Sequence, residues 1–178
     1  MSIDYYAIVP ADRWPSFGSV QATLDENTAG VRLRIPDGLT AEDAFATARS
    51  GNGVDVVCAG LSVSITMTFQ QLTADDVDAD NDHDDAHEAI VVLVEQGIPV
   101  QAGDVLIWMG GGTSAFDWHP GFLIFAALAD SFGATVVDPQ TGQAYRKQDV
   151  AALVDIAADM RTELDGNRHL YRVAGPWG

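Results

Sequence analysis

The stretch "LSVSITMTFQQ", residues 61–71, decides the fold class of this chain. Its apolar and polar side chains alternate strictly: Leu61, Val63, Ile65, Met67 and Phe69 against Ser62, Ser64, Thr66, Thr68 and Gln70. Successive side chains of a strand point to opposite faces, so a period of two residues predicts a long strand with one buried and one solvated face. The hydroxyl row is either a binding face or an ordinary exposed sheet surface, which Ser and Thr suit well.

The segments around this strand predict a sheet with several members. "VDVVC" (54–58) precedes it, and Ala59 with Gly60 between the two runs predicts a hairpin. "DYYAIVP" (4–10) and the alternating "VRLRIP" (31–36) are further strands. "GDVLIWMG" (103–110) contains an unbroken apolar run, which is typical of a central strand covered on both faces. "ATVVDP" (134–139) is another strand, and "DPQTG" (138–142) predicts a turn that Asp138 caps and in which Gly142 takes a positive φ.

Five segments between these strands have the apolar spacing and the end signals of helices. Thr40 with Asp43 predicts an N-terminal cap, Gly97 and Gly133 predict helix ends, and Pro120 suits a first helical turn. The predicted helices lie within residues 15–30, 39–53, 84–100, 119–133 and 148–166.

The order of these elements, βαβαββ followed by αβαββαβ, indicates the architecture. Helices alternate with strands, but two hairpins interrupt the alternation, so part of the sheet must be antiparallel. We expect one α+β domain over residues 1–178, layered, with a mixed, partly antiparallel sheet and about five helices. An acidic linker, residues 73–82, would join two halves, residues 1–72 and 83–178.

The charge balance restricts the function. Twenty-six acidic side chains against nine basic ones give a net charge of −17. Such a chain repels nucleic acid and anionic lipid and attracts basic proteins or cations. Adaptation to a high-salt cytoplasm would produce the same acidity without a specific partner. The longest aliphatic run, "IVVLV", is too short to span a membrane, and no leader opens the chain, so a cytoplasmic protein is expected.

The acidic stretch "TADDVDADNDHDDAH", residues 73–87, has three interpretations. Calcium loops place carboxylates at alternating positions, and a calcium or magnesium site over residues 76–88 would use Asp76, Asp78, Asp80, Asp82, Asp84 and Glu88. An EF-hand is excluded because Glu88 falls one residue late and a strand precedes the loop. The stretch is otherwise a solvated linker, or a partner-binding surface carried by Asp75, Asp76, Asp78 and Asp80. The solvated linker needs no cofactor.

The loop "GGGTSAFDWHPG", residues 110–121, is the second candidate site. It holds Ser114, Asp117 and His119, the residue types of a hydrolase, although their separations match no nucleophile elbow. Trp108, just before the loop, and Trp118, within it, are candidate binding residues. It lacks a Gly-Lys-Ser/Thr motif and a nearby cation, so nucleotide binding is not expected.

Two segments carry a resemblance to a group of known proteins: "MSIDYYAIVP" (1–10) and "FAALADSFGATVVDPQTGQAYRKQDVAALV" (125–154). Together they resemble uncharacterised small acidic bacterial proteins of the toxin-immunity type. The resemblance implies a binding protein and assigns no functional residue. The leading hypothesis is therefore a non-enzymatic acidic protein that binds a basic protein partner. The alternatives are a hydrolase or other small-molecule enzyme using residues 110–121, and a divalent-metal-binding domain at 76–88.

Overall fold

The predicted order of helices and strands reappears in the computed structural model, which describes residues 4–14, 16–27, 31–50, 53–60, 63–78, 86–109 and 118–167. The strands are β1 (Tyr5–Val9), β2 (Val31–Arg34), β3 (Val54–Gly60), β4 (Val63–Gln71), β5 (Val105–Met109), β6 (Thr135–Asp138) and β7 (Gln143–Tyr145). The helices are α1 (Phe17–Asn27), α2 (Ala41–Arg49), α3 (His87–Glu95), α4 (His119–Phe132) and α5 (Val150–Asn167), the last preceded by a 3-10 turn, Lys147–Asp149. The strand expected after α5 lies outside the described residues.

The seven strands form one sheet in the order β2-β3-β4-β5-β1-β6-β7. The α+β class, the single domain and the five helices are thus confirmed. All six strand pairs among the described residues are antiparallel. β5 and β6 run in the same direction and are joined by α4, but β1 lies between them and pairs with both. Because helices and strands alternate along the chain, we expected some parallel pairing. The two strands that α4 connects are parallel to each other but are not neighbours in the sheet, so the described pairs are all antiparallel.

The two faces of the sheet have separate cores. On one face, α1, α2, α4 and α5 cover a large core that includes Ala7, Val9 and Ile107. On the other face, α3 covers a smaller core that includes Tyr6, Ile8 and Leu106. β5 contributes to both, which confirms that it is a central strand buried on both sides.

β4 has the one wet face that its alternation predicted. Ile65, Met67 and Phe69 are buried, whereas Thr66 is exposed and Thr68 is half-buried. The hairpin with β3 is also confirmed, but its ladder continues past Ala59 to the pair Gly60–Val63. β3 therefore extends two residues beyond the predicted run, and the two predicted turn residues belong to the ladder.

The helix ends follow the local sequence. Thr40 and Asp43 form a reciprocal capping box at the start of α2. Gly133 ends α4 in the left-handed conformation, with φ of 67°, that only Gly adopts without steric cost. Within the described ranges, each helix is too short or too polar to cross a lipid bilayer.

Candidate functional site, a groove along helix α3

A surface groove of about 540 Å³ lies between α3 and the turn that connects β6 to β7. Helix α3 has a buried face and an exposed face. Ala89, Ile90 and Leu93 are buried against the sheet, whereas Glu88 and Glu95 are exposed. The α3 wall of the groove consists of His87, Glu88, Val91, Val92 and Glu95.

The opposite wall is the turn predicted from "DPQTG", here formed by Pro139, Gln140 and Gly142. The buried carboxylate of Asp138 caps this turn: its Oδ1 accepts hydrogen bonds from the backbone N–H of Gln140 at 3.0 Å and of Thr141 at 3.4 Å. Gly142 has the positive φ that the sequence predicted, 67°. The turn is therefore built as expected, and the fold places it beside α3.

A side-chain hydrogen bond joins the two walls. Gln96, directly after α3, donates from Nε2 to the carbonyl oxygen of Gly142 at 2.7 Å. The two residues are 46 positions apart, so the local sequence does not predict this contact. It links the end of the helix directly to the turn.

The groove is negatively charged and partly apolar. Glu88 and Glu95 lie near the two ends of its α3 wall, Val91 and Val92 line it between them, and neither Lys nor Arg is among the described residues that line it. The Nδ1 atom of His87 is buried there and has no hydrogen-bond partner among the described residues. Such a lining favours a cationic group with an apolar neighbour over an anion.

A second groove, of about 380 Å³, lies beside the wet face of β4. It mixes charges of both signs, because Arg34 lies with Asp37 and Asp55. The Thr68 hydroxyl donates to Asp55 Oδ1 at 2.6 Å, so part of this face is occupied by its own hydrogen bonds. The charge is less one-sided here than in the groove along α3.

The described part of the acidic stretch is a turn with local hydrogen bonds. The Thr73 N–H donates to the carboxylate of Asp76, and the Asp76 N–H donates to Thr73 Oγ1 at 3.3 Å. Val77 packs on the core beneath α3. Asp75 and Asp78 are exposed there. Of the other candidate acids, Asp80, Asp82 and Asp84 lie outside the described residues.

The metal hypothesis gains no geometric support from this part of the chain. No group of three or more His, Cys, Asp or Glu side chains among the described residues is placed to hold a metal ion. Glu88, the candidate at the end of the stretch, lines the groove along α3.

One member of the hydrolase candidate set is described, and it faces the protein interior. His119 is buried at the start of α4, where its Nδ1 donates to the Ala157 carbonyl oxygen in α5 at 2.9 Å. A carbonyl oxygen only accepts, so this contact sets the tautomer. His119 thus links two helices, while Ser114 and Asp117 lie outside the described residues.

The two candidate tryptophans are not brought together. Trp118 is buried in the large core, where its ring meets Tyr5 edge-to-face with centroids 5.0 Å apart. Trp108 is half-buried on the other face of the sheet, against the core beneath α3. The sheet separates them, so they cannot form one binding surface.

Two tyrosines and a buried carboxylate form a cluster that the sequence did not predict. Burial raises the pKa of Tyr5, and the charge of Asp138 raises it further. Burial likewise raises the pKa of Tyr145, with Asp138 and Asp149 adding to the effect. Both phenols therefore remain neutral at physiological pH. The pairing of β1 with β6 and of β6 with β7 brings these residues together, and no local pattern predicts it.

The residues of the α3 groove were also missed as a set, although part of the pattern was readable. Glu88, Val91 and Glu95 are spaced by three and four residues, the spacing of one helical face. The turn at residues 138–142 was predicted but not its position. Comparison of the chain with protein-family models, with curated proteins and with solved structures finds no match to any of them.

Proposed function

We propose that this protein is a non-enzymatic binding protein of the cytoplasm whose acidic surface engages a basic protein partner, in the manner of an immunity or inhibitor protein. The observation that carries the proposal is the one-sided surface charge. Nine basic side chains cannot balance twenty-six acidic ones, so a net charge of −17 remains however they are paired.

The acids that the structure buries have structural tasks, which leaves the others for the surface. Among the described acidic side chains, Asp104 and Asp138 are buried. Asp104 accepts hydrogen bonds from the backbone N–H of Ala11 at 2.9 Å and of Gln101 at 3.0 Å, and Asp138 caps the turn before β7. Buried carboxylates satisfied in this way support the fold. The exposed ones create the field that would steer a cationic partner.

The placement of His119 supports binding over hydrolysis. A general base must reach the proton that it abstracts, whereas this imidazole is buried and donates to a backbone carbonyl. Its position between α4 and α5 gives it a packing role.

The test is an affinity capture followed by kinetics on the purified partner. The immobilised protein is used to isolate a basic protein, and association of the purified pair is then measured from low to high salt. We expect the association rate to fall steeply with ionic strength, because screening removes long-range attraction. A rate that does not change with salt would refute electrostatic steering. If no saturable partner exists, the acidity is an adaptation to high salt and not a means of binding.

A further inference from the structure

We infer that the groove along α3 is the docking site for the basic partner, and that the partner presents an extended segment in which two cationic side chains flank an apolar one. This inference rests on the proposed function and adds the position of the site and the chemistry of its occupant.

The two carboxylates set the spacing of the cations. Glu88 and Glu95 are seven residues apart on one helix, which corresponds to about 10.5 Å along its axis. Both are exposed, and neither forms a salt bridge with a described residue. A partner with one cation at each end of the groove would pair with both at once.

The apolar residues that line the groove favour an apolar side chain between the two cations of the partner. Val91 and Val92 lie between the two carboxylates along α3, and Pro139 lines the opposite wall. An apolar side chain of the partner would remove this surface from water, which favours binding.

A partner segment in the extended conformation of a strand can present two cations with an apolar side chain between them. Alternate side chains of an extended segment point to the same face, so residues i, i+2 and i+4 would face the groove together. Residues i and i+4 are about 13 Å apart, a distance from which flexible Arg side chains reach carboxylates about 10.5 Å apart. The pattern Arg-x-Leu-x-Arg fits this description.

The same lining disfavours other classes of ligand. The described residues that line the groove include no Lys or Arg, so a phosphate or a carboxylate would meet two negative charges without a counter-charge from these residues. Lys147, the only lysine of the chain, is paired with Asp130 at 3.3 Å. Nucleic acid, phosphopeptides and anionic lipid are therefore poor occupants.

The experiment uses the full chain and the peptide acetyl-Arg-Ser-Leu-Ser-Arg-amide, followed by amide chemical shifts at low salt. We expect saturable shifts confined to residues 87–96 and 139–142. The double substitution Glu88→Gln with Glu95→Gln should weaken binding about three- to tenfold, because two solvent-exposed ion pairs are lost. Replacement of Leu by Ser in the peptide should weaken binding as well.

The matched control is Glu26→Gln with Glu42→Gln, at two exposed positions outside the groove. It changes the net charge by the same amount, so it should weaken binding less than about twofold if the groove is the site. The amide spectrum of each variant also shows whether its fold is intact.

The outcomes separate the two proposals. If both double variants weaken binding equally, or if the shifts spread over the acidic surface near Asp75 and Asp78, the groove inference is overturned while the proposed function stands. If the captured partner binds but its footprint avoids α3, the result is the same. If neither the peptide nor any basic protein binds, both proposals fall.

Discussion

At the scale of single residues, one glycine permits a close approach between α4 and the sheet. A Cβ built on Gly121 would overlap the sulfur of Met109 and would lie 3.2 Å from Cε of Met67. Both methionines are fully buried, so neither can move into solvent to make room. The glycine is needed here for close packing, even though it weakens a helix relative to alanine.

Gly121→Ala should destabilise the protein by about 1–3 kcal/mol, the usual cost of overpacking a core. Urea denaturation measures this as a lower free energy of unfolding. Gly18→Ala in α1 is the control, because its Cβ would meet only the Ser16 hydroxyl at 3.7 Å. That change should be neutral or slightly stabilising. If Gly121→Ala were as stable as the parent, the packing between α4 and β5 would be looser than described.

A second residue-scale prediction concerns the tyrosines near Asp138. Both phenols have a pKa above the ordinary 10.0, chiefly through burial and secondly through the Asp138 charge. The folded state therefore binds these protons more tightly than the unfolded state. Their stabilisation is fully present below about pH 10 and is lost as pH rises through the folded pKa values.

Asp138→Asn should lower the pKa of Tyr5 and Tyr145, although burial should keep both above the ordinary value. The amide oxygen can still accept from the turn N–H groups, so the fold should survive. Tyrosinate absorbance measured against pH tests this, with Tyr5→Phe to assign the transition. The exposed change Asp155→Asn should leave the titration unaltered. Unchanged midpoints in Asp138→Asn would show that its charge does not reach the phenols.

At the scale of elements, the capping box of α2 is the clearest local determinant. The Asp43 N–H donates to Thr40 Oγ1 at 3.1 Å, and the Thr40 hydroxyl donates to Asp43 Oδ2 at 2.7 Å. The hydrogen bonds from Thr40 lower the pKa of Asp43 below its ordinary 3.8. A lowered carboxyl pKa contributes stability above its unfolded value, and this contribution is lost as pH falls through the folded pKa.

Thr40→Ala should destabilise the protein by about 1 kcal/mol at neutral pH, because a helix cap is lost. In this variant the pKa of Asp43 should rise towards the ordinary value. The difference in stability between the variant and the parent should become smaller below about pH 4. Thermal melting against pH and an NMR titration of Asp43 test both statements. Thr162→Ala, an exposed change inside α5, should cost little. Equal effects of the two substitutions would contradict a specific cap.

At the scale of the whole molecule, the charge of −17 acts as a diffuse field. Salt should raise the melting temperature, because it screens repulsion among surface carboxylates. This property differs from a metal site, in which several oxygens converge on one ion. An experiment on the acidic stretch can distinguish a diffuse charge from a metal site.

Millimolar calcium should raise the melting temperature no more than magnesium at the same ionic strength. A calcium site specific to the folded state would add about 2.7 kcal/mol at a hundredfold excess over Kd. Asp78→Asn combined with Asp80→Asn should melt at or slightly above the parent temperature, because like charges are removed. A large calcium-specific rise that this variant abolishes would instead establish a metal site over residues 76–88.

The sequence by itself determined the local elements and the electrostatic character. The alternation along β4, the capping box at Thr40 and the helix end at Gly133 were readable because each depends on residues close in the chain. The same holds for the turn at Asp138. The net charge needs no structure at all.

Only the tertiary structure decided which elements are neighbours. It inserts β1 between β5 and β6, separates Trp108 from Trp118, and places Gln96 against Gly142 across 46 positions. Strands with similar apolar patterns can pair in several orders and registers. The order adopted depends on how well side chains from distant segments pack together, such as Gly121 against Met109. The sequence of a single segment does not contain this information. For this reason the sequence predicted the turn and the helix, but not the groove between them.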